Sequence, residues 1–172
     1  MRIFSLASTL RFAIPLLAVT TAAAQAQVTL SAAPLTQEQV SAFYIARGFS
    51  ASAIAPYAQA CVLSFEFRNG GRSSVRFRLA DWQAGEGIGF RPLADWDTAW
   101  EKHGVAAAAR TAFRWSQFPP EQEFEAGDWI MGMAALARRP PGQFSLIARY
   151  HDGKGQHEIL IDQLSCRDSV GN

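Results

Sequence analysis

The feature that most constrains the fold is a pair of cysteines, Cys61 and Cys166, which lie 105 positions apart. They are the only cysteines in the chain. An even number of cysteines in an exported protein predicts a disulfide, because oxidising compartments form and preserve such bonds. We therefore predict a Cys61–Cys166 bond that joins the two ends of the sheet-forming region.

The first 26 residues have the three-part organisation of a secretory signal peptide. Arg2 lies near the start of the chain, and Arg11 immediately precedes an apolar run. The segment ends in Ala24-Gln25-Ala26, the small-x-small pattern that signal peptidase recognises. The apolar run holds about a dozen residues, whereas a membrane-spanning helix needs roughly 20. We therefore predict cleavage after Ala26, a periplasmic or secreted protein, and no membrane insertion after cleavage.

The charge balance argues against partners that bind through long-range electrostatics. Cleavage removes Arg2 and Arg11 from the 16 basic side chains, which leaves 14 against 15 acidic side chains. A nearly neutral domain without a basic run has no field that attracts nucleic acid or anionic lipid. Nucleic acid is therefore excluded as a predicted partner.

Residues 27–60 predict a helical prefix. Thr36 and Gln39 have the spacing of a capping box at the start of a helix, and Gly48 is a natural stop. A second short helix is predicted within 50–60, with Pro56 in its first turn or at a bend.

Apolar residues alternate over 61–68 and again over 75–79, which is the pattern of half-buried strands. The intervening turn contains two glycines, so the two strands are predicted to form a hairpin. Keeping both apolar sets on one face fixes the predicted cross-strand pairs, Phe67 with Val75 and Glu66 with Arg76.

A helical insertion is predicted at about 81–112. Asp95 is a candidate cap for a helix that places Trp96 and Trp100 on one face and ends at Gly104. Extended structure is then predicted over 111–118, followed by three strands, at 128–136, 144–150 and 157–164.

These elements predict a mainly β fold, an antiparallel sandwich over 61–172 that carries the helical insertion. The strand at 61–69, the turn at 124–129 and the strand at 141–146 resemble those of uncharacterised exported immunoglobulin-like domains of bacteria. This resemblance implies an immunoglobulin-like sandwich and assigns no catalytic residues.

All five tryptophans lie within residues 81–129. Large aromatic side chains anchor many protein interfaces, although they also dominate protein cores. We predict a non-enzymatic periplasmic binding or accessory module, without a cofactor, that presents this stretch to a protein partner. Its candidate binding residues are Trp82, Trp115, Phe118 and Trp129.

Two alternative functions depend on other side chains. A small metal-handling protein for copper or zinc would use His151 and His157, which flank a turn, or the thioethers of Met131 and Met133. A hydrolase acting on polysaccharide would use paired carboxylates from an acidic segment that is otherwise expected to be a solvated loop. The carboxylates of that segment are Glu121, Glu123, Glu125 and Asp128.

Overall fold

The computed structural model describes residues 28–166, and within that range the chain forms eight β-strands and four α-helices. The strands are β1 (Val28–Pro34), β2 (Val62–Asn69), β3 (Val75–Arg78), β4 (Gln83–Ala84), β5 (Glu121–Phe124), β6 (Trp129–Ala135), β7 (Gln143–Asp152) and β8 (Gly155–Ser165). The helices are α1 (Gln37–Ile45), α2 (Ala51–Ala58), α3 (Leu93–Lys102) and α4 (Ala107–Ser116). The predicted leader, residues 1–26, lies outside the described residues, and so do residues 167–172.

The strands form two antiparallel sheets. The smaller sheet has three strands in the order β1-β2-β6. In the five-stranded sheet, β8 pairs with one edge of β7, β3 and β4 pair with the other edge, and β5 pairs with β3. This arrangement confirms the prediction of a mainly β, antiparallel sandwich; membership of the immunoglobulin-like family stays a prediction.

An aromatic core lies between the two sheets. Phe65 and Phe67 of β2 project from the small sheet, and Phe77 of β3 projects from the large one. The rings of Phe67 and Phe77 have centroids 5.1 Å apart, a normal separation for packed aromatic rings. Burying so much aromatic surface is the main favourable contribution to holding the sheets together.

The four helices form a third layer on the outer face of the small sheet. Their buried side chains include Tyr44, Tyr57, Trp100 and Phe113, which pack with Val62, Met133 and Ala135 of the sheet. The sheet residues all come from one end of β2 and β6, and the other end of that face bears Glu66 and Arg68 of β2 and Met131 and Trp129 of β6. The helical layer therefore covers only part of the sheet.

The N-terminal prediction is half right. The capping box at Thr36 is present, since the Thr36 hydroxyl accepts from the Gln39 amide at 3.1 Å, and α2 confirms the second helix. Residues 28–34, however, form a strand that pairs with β2, so the segment 27–60 is not wholly helical. The inward-facing residues of β1 include a small alanine, Ala32, so the alternation of large apolar and polar residues in this strand is weak.

The predicted hairpin between 61–68 and 75–79 is wrong. Its two strands lie in different sheets, where β2 pairs with β1 and β6 while β3 pairs with β5 and β7. The true cross-strand partner of Glu66 on β6 is Met131, and that of Arg76 on β5 is Glu123. The alternation of apolar residues correctly identified which side chains face the core. Because both sheets face the same core, strands of different sheets show the same alternation, and it does not indicate that they pair.

The two helices of the insertion span 93–116, so they begin and end later than the predicted 81–112. Pro92, rather than Asp95, precedes the first residue of α3, and Asp95 lies in its first turn. The helix ends as expected near Gly104, whose φ of +69° favours glycine. The prediction of extended structure over 111–118 is wrong, because residues 107–116 form α4.

The Cys61–Cys166 disulfide is present and joins the two sheets. Cys61 immediately precedes β2 of the small sheet, and Cys166 immediately follows β8 of the large one. Arg139 lies beside this junction, where its guanidinium donates to the carbonyls of Cys166 at 2.7 Å and Gln59 at 2.8 Å. The end of the described chain is thereby held against the segment that enters β2.

Candidate functional site: an apolar groove between two helices and a sheet

The five tryptophans divide into a buried group and an exposed group. Trp82, Trp96 and Trp100 are buried, whereas Trp115 is 86 % exposed and Trp129 is 52 % exposed. Trp82 and Phe118 lie in the core between the sheets, so the prediction that they belong to a binding surface is wrong. Only Trp115 and Trp129 of the predicted set are available to a partner.

Trp115 lies beside an open apolar groove of about 700 Å³ at the boundary between the helical layer and the small sheet. One wall belongs to α1 and the other to α4, while β2 and β6 form the floor. The main lining residues are Gln39 and Phe43 of α1 with Arg47 in the turn that follows it, Ala112, Trp115 and Ser116 of α4, and Ser64, Met131 and Met133 of the floor.

The helical geometry of α4 explains why Trp115 points outward. Successive residues of an α-helix are rotated by about 100°, so Phe113 and Trp115 project about 200° apart. Phe113 is buried among the rings of the helical layer, which leaves Trp115 on the opposite side, facing the groove and solvent. In a strand, the two side chains would share a face.

The α1 wall is ordered by an interaction between Phe43 of the helix and Arg47 in the turn that follows it. The Arg47 guanidinium carbon lies 3.4 Å from the centroid of the Phe43 ring, and the same group donates to the Phe43 carbonyl at 2.8 Å. The pair has the i,i+4 spacing that brings side chains together on one helix face. The spacing in the sequence indicates that Phe43 and Arg47 share a helix face, but it does not indicate that this face borders a groove.

The floor of the groove continues onto the uncovered part of the small sheet. Met131 and Met133 alternate with Gly132 on β6 and so share its outer face, together with Trp129. Met133 is buried beneath the helices, whereas Met131 is 58 % exposed. Trp129 lies beyond Met131, with the Arg68 guanidinium 5.7 Å from its ring centroid.

A network of buried hydroxyl groups fixes α1, α2 and α4 relative to one another. Ser116 donates to the Phe113 carbonyl, so its oxygen is left to accept from the Tyr44 hydroxyl at 2.7 Å. Gln117 then connects the two tyrosines, because its amide donates to Tyr44 and accepts from Tyr57. Burial raises the pKa of Tyr44 to about 12 and that of Tyr57 well above its ordinary value. Both phenols are therefore neutral structural groups at ordinary pH.

Gly132 allows the chain leaving α4 to lie directly against β6. The Phe118 amide donates to the Met133 carbonyl at 2.8 Å. A Cβ on residue 132 would stand 2.5 Å from the Phe118 nitrogen and 2.8 Å from the Gln117 oxygen, both of them backbone atoms. No side-chain rotation can relieve such a clash.

Gly132→Ala is therefore expected to lower the free energy of unfolding by about 1–3 kcal/mol, as for other overpacked sites. Urea denaturation followed by tryptophan fluorescence measures the change. The matched control is Gly89→Ala, since a Cβ on residue 89 would meet open space and its φ lies outside the left-handed region. A loss for Gly132→Ala no larger than for the control would show that residues 117–118 are not packed tightly against β6.

The two histidines proposed as metal ligands lie on opposite faces of the β7–β8 hairpin. His157 is paired directly with Tyr150 and stacks on its ring, with centroids 5.0 Å apart. His151 is the neighbour of Tyr150 along β7, so its side chain projects to the other face. The two imidazoles cannot converge on one ion, so the alternative in which His151 and His157 share a metal site is wrong.

His157 has a carboxylate partner. Its Nε2 lies 2.9 Å from Oδ1 of Asp152, and this contact, together with the Lys154 amide, lowers the pKa of that carboxyl. The amides of Lys154 and Gly155 donate to the same oxygen, so Asp152 organises the turn. This arrangement is that of a closed hairpin rather than of a ligand set.

The thioethers of Met131 and Met133 do share a face, but one is exposed and the other buried. Within residues 28–166, no group of three or more His, Cys, Asp or Glu side chains is placed to hold a metal ion. The two methionines contribute instead to the apolar floor of the groove.

The acidic segment forms β5 instead of the expected loop. Glu121 and Glu123 lie across from Arg78 and Arg76 of β3, which places carboxylates beside guanidinium groups on the outer face of the large sheet. The Asp128 carboxylate accepts from the Glu125 amide at 2.9 Å and closes the turn into β6. These carboxylates therefore serve strand pairing and turn formation.

The fold and the groove define an antiparallel sandwich with a helical layer on one outer face. Neither the known protein-family models nor the curated protein sequences include a match to this chain. Among residues 28–166, no helix has the length and apolar character needed to cross a membrane.

Proposed function

We propose that this protein is an exported, non-enzymatic binding module that holds a protein partner in the groove between α1 and α4. The observation that carries the proposal is the clustering of three large exposed apolar side chains, Trp115, Met131 and Trp129, in and beside one groove. Isolated exposed apolar residues are common, but contiguous ones mark sites of association.

The side chains of this surface are suited to a protein partner. Tryptophan, methionine and arginine are enriched at interfaces, and Trp115, Met131 and Arg47 all line the groove. The buried network around Tyr44 and Gln117 supports the wall that carries Trp115. A rigid wall reduces the entropy lost when a partner binds.

Export is part of the proposal and rests on two features. The leader has the organisation of a signal peptide, and the Cys61–Cys166 disulfide suits an oxidising compartment. The proposed location is therefore the periplasm or the extracellular medium, where the partner is also expected to be found.

The function is tested by comparing groove variants in a pull-down from the exported-protein fraction, followed by affinity measurement on the recovered partner. Trp115→Ala is expected to weaken binding by about 30-fold, the size of a 2 kcal/mol hot spot. Because Trp115 is exposed, the melting temperature should change by no more than about 2 °C.

Leu160→Ala is the matched control, since Leu160 is 60 % exposed on β8 and does not line the groove. It should leave both binding and melting temperature unchanged. Equal loss of binding in Leu160→Ala and Trp115→Ala, or undiminished binding in Trp115→Ala, would contradict the proposal.

A further inference from the structure

A second cavity, separate from the groove, is lined by three arginines. It has a volume of about 210 Å³ and lies where the end of α2, the start of α3 and the segment following β6 meet. Arg91, Arg138 and Arg139 all contribute to its lining, along with Trp96 and Gln59. No acidic residue is found among the described residues that line it.

Two of the guanidinium groups are held in place by neighbouring groups. The Arg91 guanidinium lies 3.9 Å from the centroid of the Trp96 ring, whose own side chain is buried. Arg139 is fixed by its hydrogen bonds to the carbonyls of Gln59 and Cys166. Holding these groups reduces the side-chain entropy that ligand binding would otherwise cost.

The charges of Arg91 and Arg138 are only weakly balanced by the described carboxylates. Arg91 has Asp95 as an ion-pair partner at 4.0 Å. Both side chains are substantially exposed, so the electrostatic interaction between them is weak. Arg138 forms no ion pair with any residue in the described range 28–166. An anion entering the cavity therefore meets weakly neutralised guanidinium groups from two separate segments of the chain.

The size and the donor type indicate the ligand. A volume of about 210 Å³ admits a small group with a few waters, since one water occupies about 30 Å³ of liquid. Guanidinium groups bind phosphate oxygens through paired N–H donors, and a phosphate has enough oxygens to accept from several arginines at once. A carboxylate has only two oxygens and would leave more of these donors unused.

We propose that this cavity is a phosphate-binding site in which Arg91 and Arg138 supply the charge and Arg139 and Trp96 shape the wall. The phosphate is either a free ion or the headgroup of a phospholipid, because both present the same oxygens. This site does not depend on the proposed function of the groove.

The test is a calorimetric titration of the full mature protein with inorganic phosphate at constant ionic strength. Saturable binding with a Kd below about 10 mM is expected, with at least a tenfold loss of affinity in Arg91→Gln and in Arg138→Gln. Arg72→Gln is the matched control, because Arg72 is exposed in the β2–β3 connection and does not line the cavity. Its affinity should equal that of the wild type.

A parallel measurement with phosphatidylglycerol and phosphatidylcholine vesicles identifies the source of the phosphate. Binding to phosphatidylglycerol alone that is lost in Arg91→Gln and Arg138→Gln would assign a lipid headgroup, whereas response to inorganic phosphate only would assign a free ion. Absence of saturable binding to every probe overturns the proposal. So does an equal loss in Arg72→Gln, provided that circular dichroism shows all variants folded.

Discussion

Replacing both cysteines in a Cys61→Ala/Cys166→Ala variant is expected to lower the free energy of unfolding by about 4–5 kcal/mol. The bond closes a loop with a sequence separation of 105 residues, and the chain-entropy account assigns a loss of that size to the freed unfolded chain. Since domains are stable by only about 5–15 kcal/mol, this is a large share of the total. Urea denaturation of wild type and variant, with comparison of midpoint and slope, measures the change.

The control for this prediction is the wild type treated with a reducing agent. It should unfold at the urea concentration that unfolds the double variant, and the reductant should leave the variant itself unchanged. Neither change removes Arg139 or the two backbone carbonyls that accept from it. A loss below about 1 kcal/mol would show that the native contacts, rather than the cross-link, hold the sheets together.

Trp82→Ala is expected to lower the free energy of unfolding by about 3–5 kcal/mol, the cost of removing a large aromatic side chain from a core. Trp82 is fully buried, and its ring lies 5.1 Å from that of Phe77 and 5.6 Å from those of Phe65 and Phe118. Its indole nitrogen also donates to the Arg149 carbonyl at 2.8 Å, so the substitution leaves that acceptor unpaired.

Trp82→Phe and Trp129→Ala separate the contributions to this loss. Trp82→Phe keeps an aromatic ring and loses the donor, so it should cost less than Trp82→Ala. Trp129→Ala removes a half-exposed indole and should cost under about 1 kcal/mol by the same denaturation assay. If Trp82→Ala and Trp129→Ala were equally mild, the division of the tryptophans into core and surface would be wrong.

Hydrophobic periodicity identified most of the strands but could not assign their neighbours. The alternation in β2 correctly indicated that Phe65 and Phe67 face the core. The same pattern in β3 led to the prediction of a hairpin, because a short turn separates β3 from β2. The strands pair through hydrogen bonds with segments distant in the chain, as β2 does with β6. The periodicity of a single strand contains no information about which distant segment it will pair with.

Predicting extended structure for the residues that form α4 concealed one wall of the candidate site. Phe113 and Trp115 are two positions apart, which fits a strand, and their bulky rings have favourable strand propensity. The helix forms because Ala109 and Phe113, four positions apart, are both buried against the other helices. That tertiary contact turns Trp115 outward and creates one wall of the groove.

By itself, the sequence determined the properties that depend on residue type and local spacing. These include the disulfide partners, the capped helix at Thr36 and the mainly β antiparallel character. Tertiary structure alone decided which aromatic side chains are core and which are surface, because burial depends on segments far apart in the chain. Trp82 and Trp115 are the same residue type in one stretch, yet one is enclosed by both sheets and the other lines an open groove.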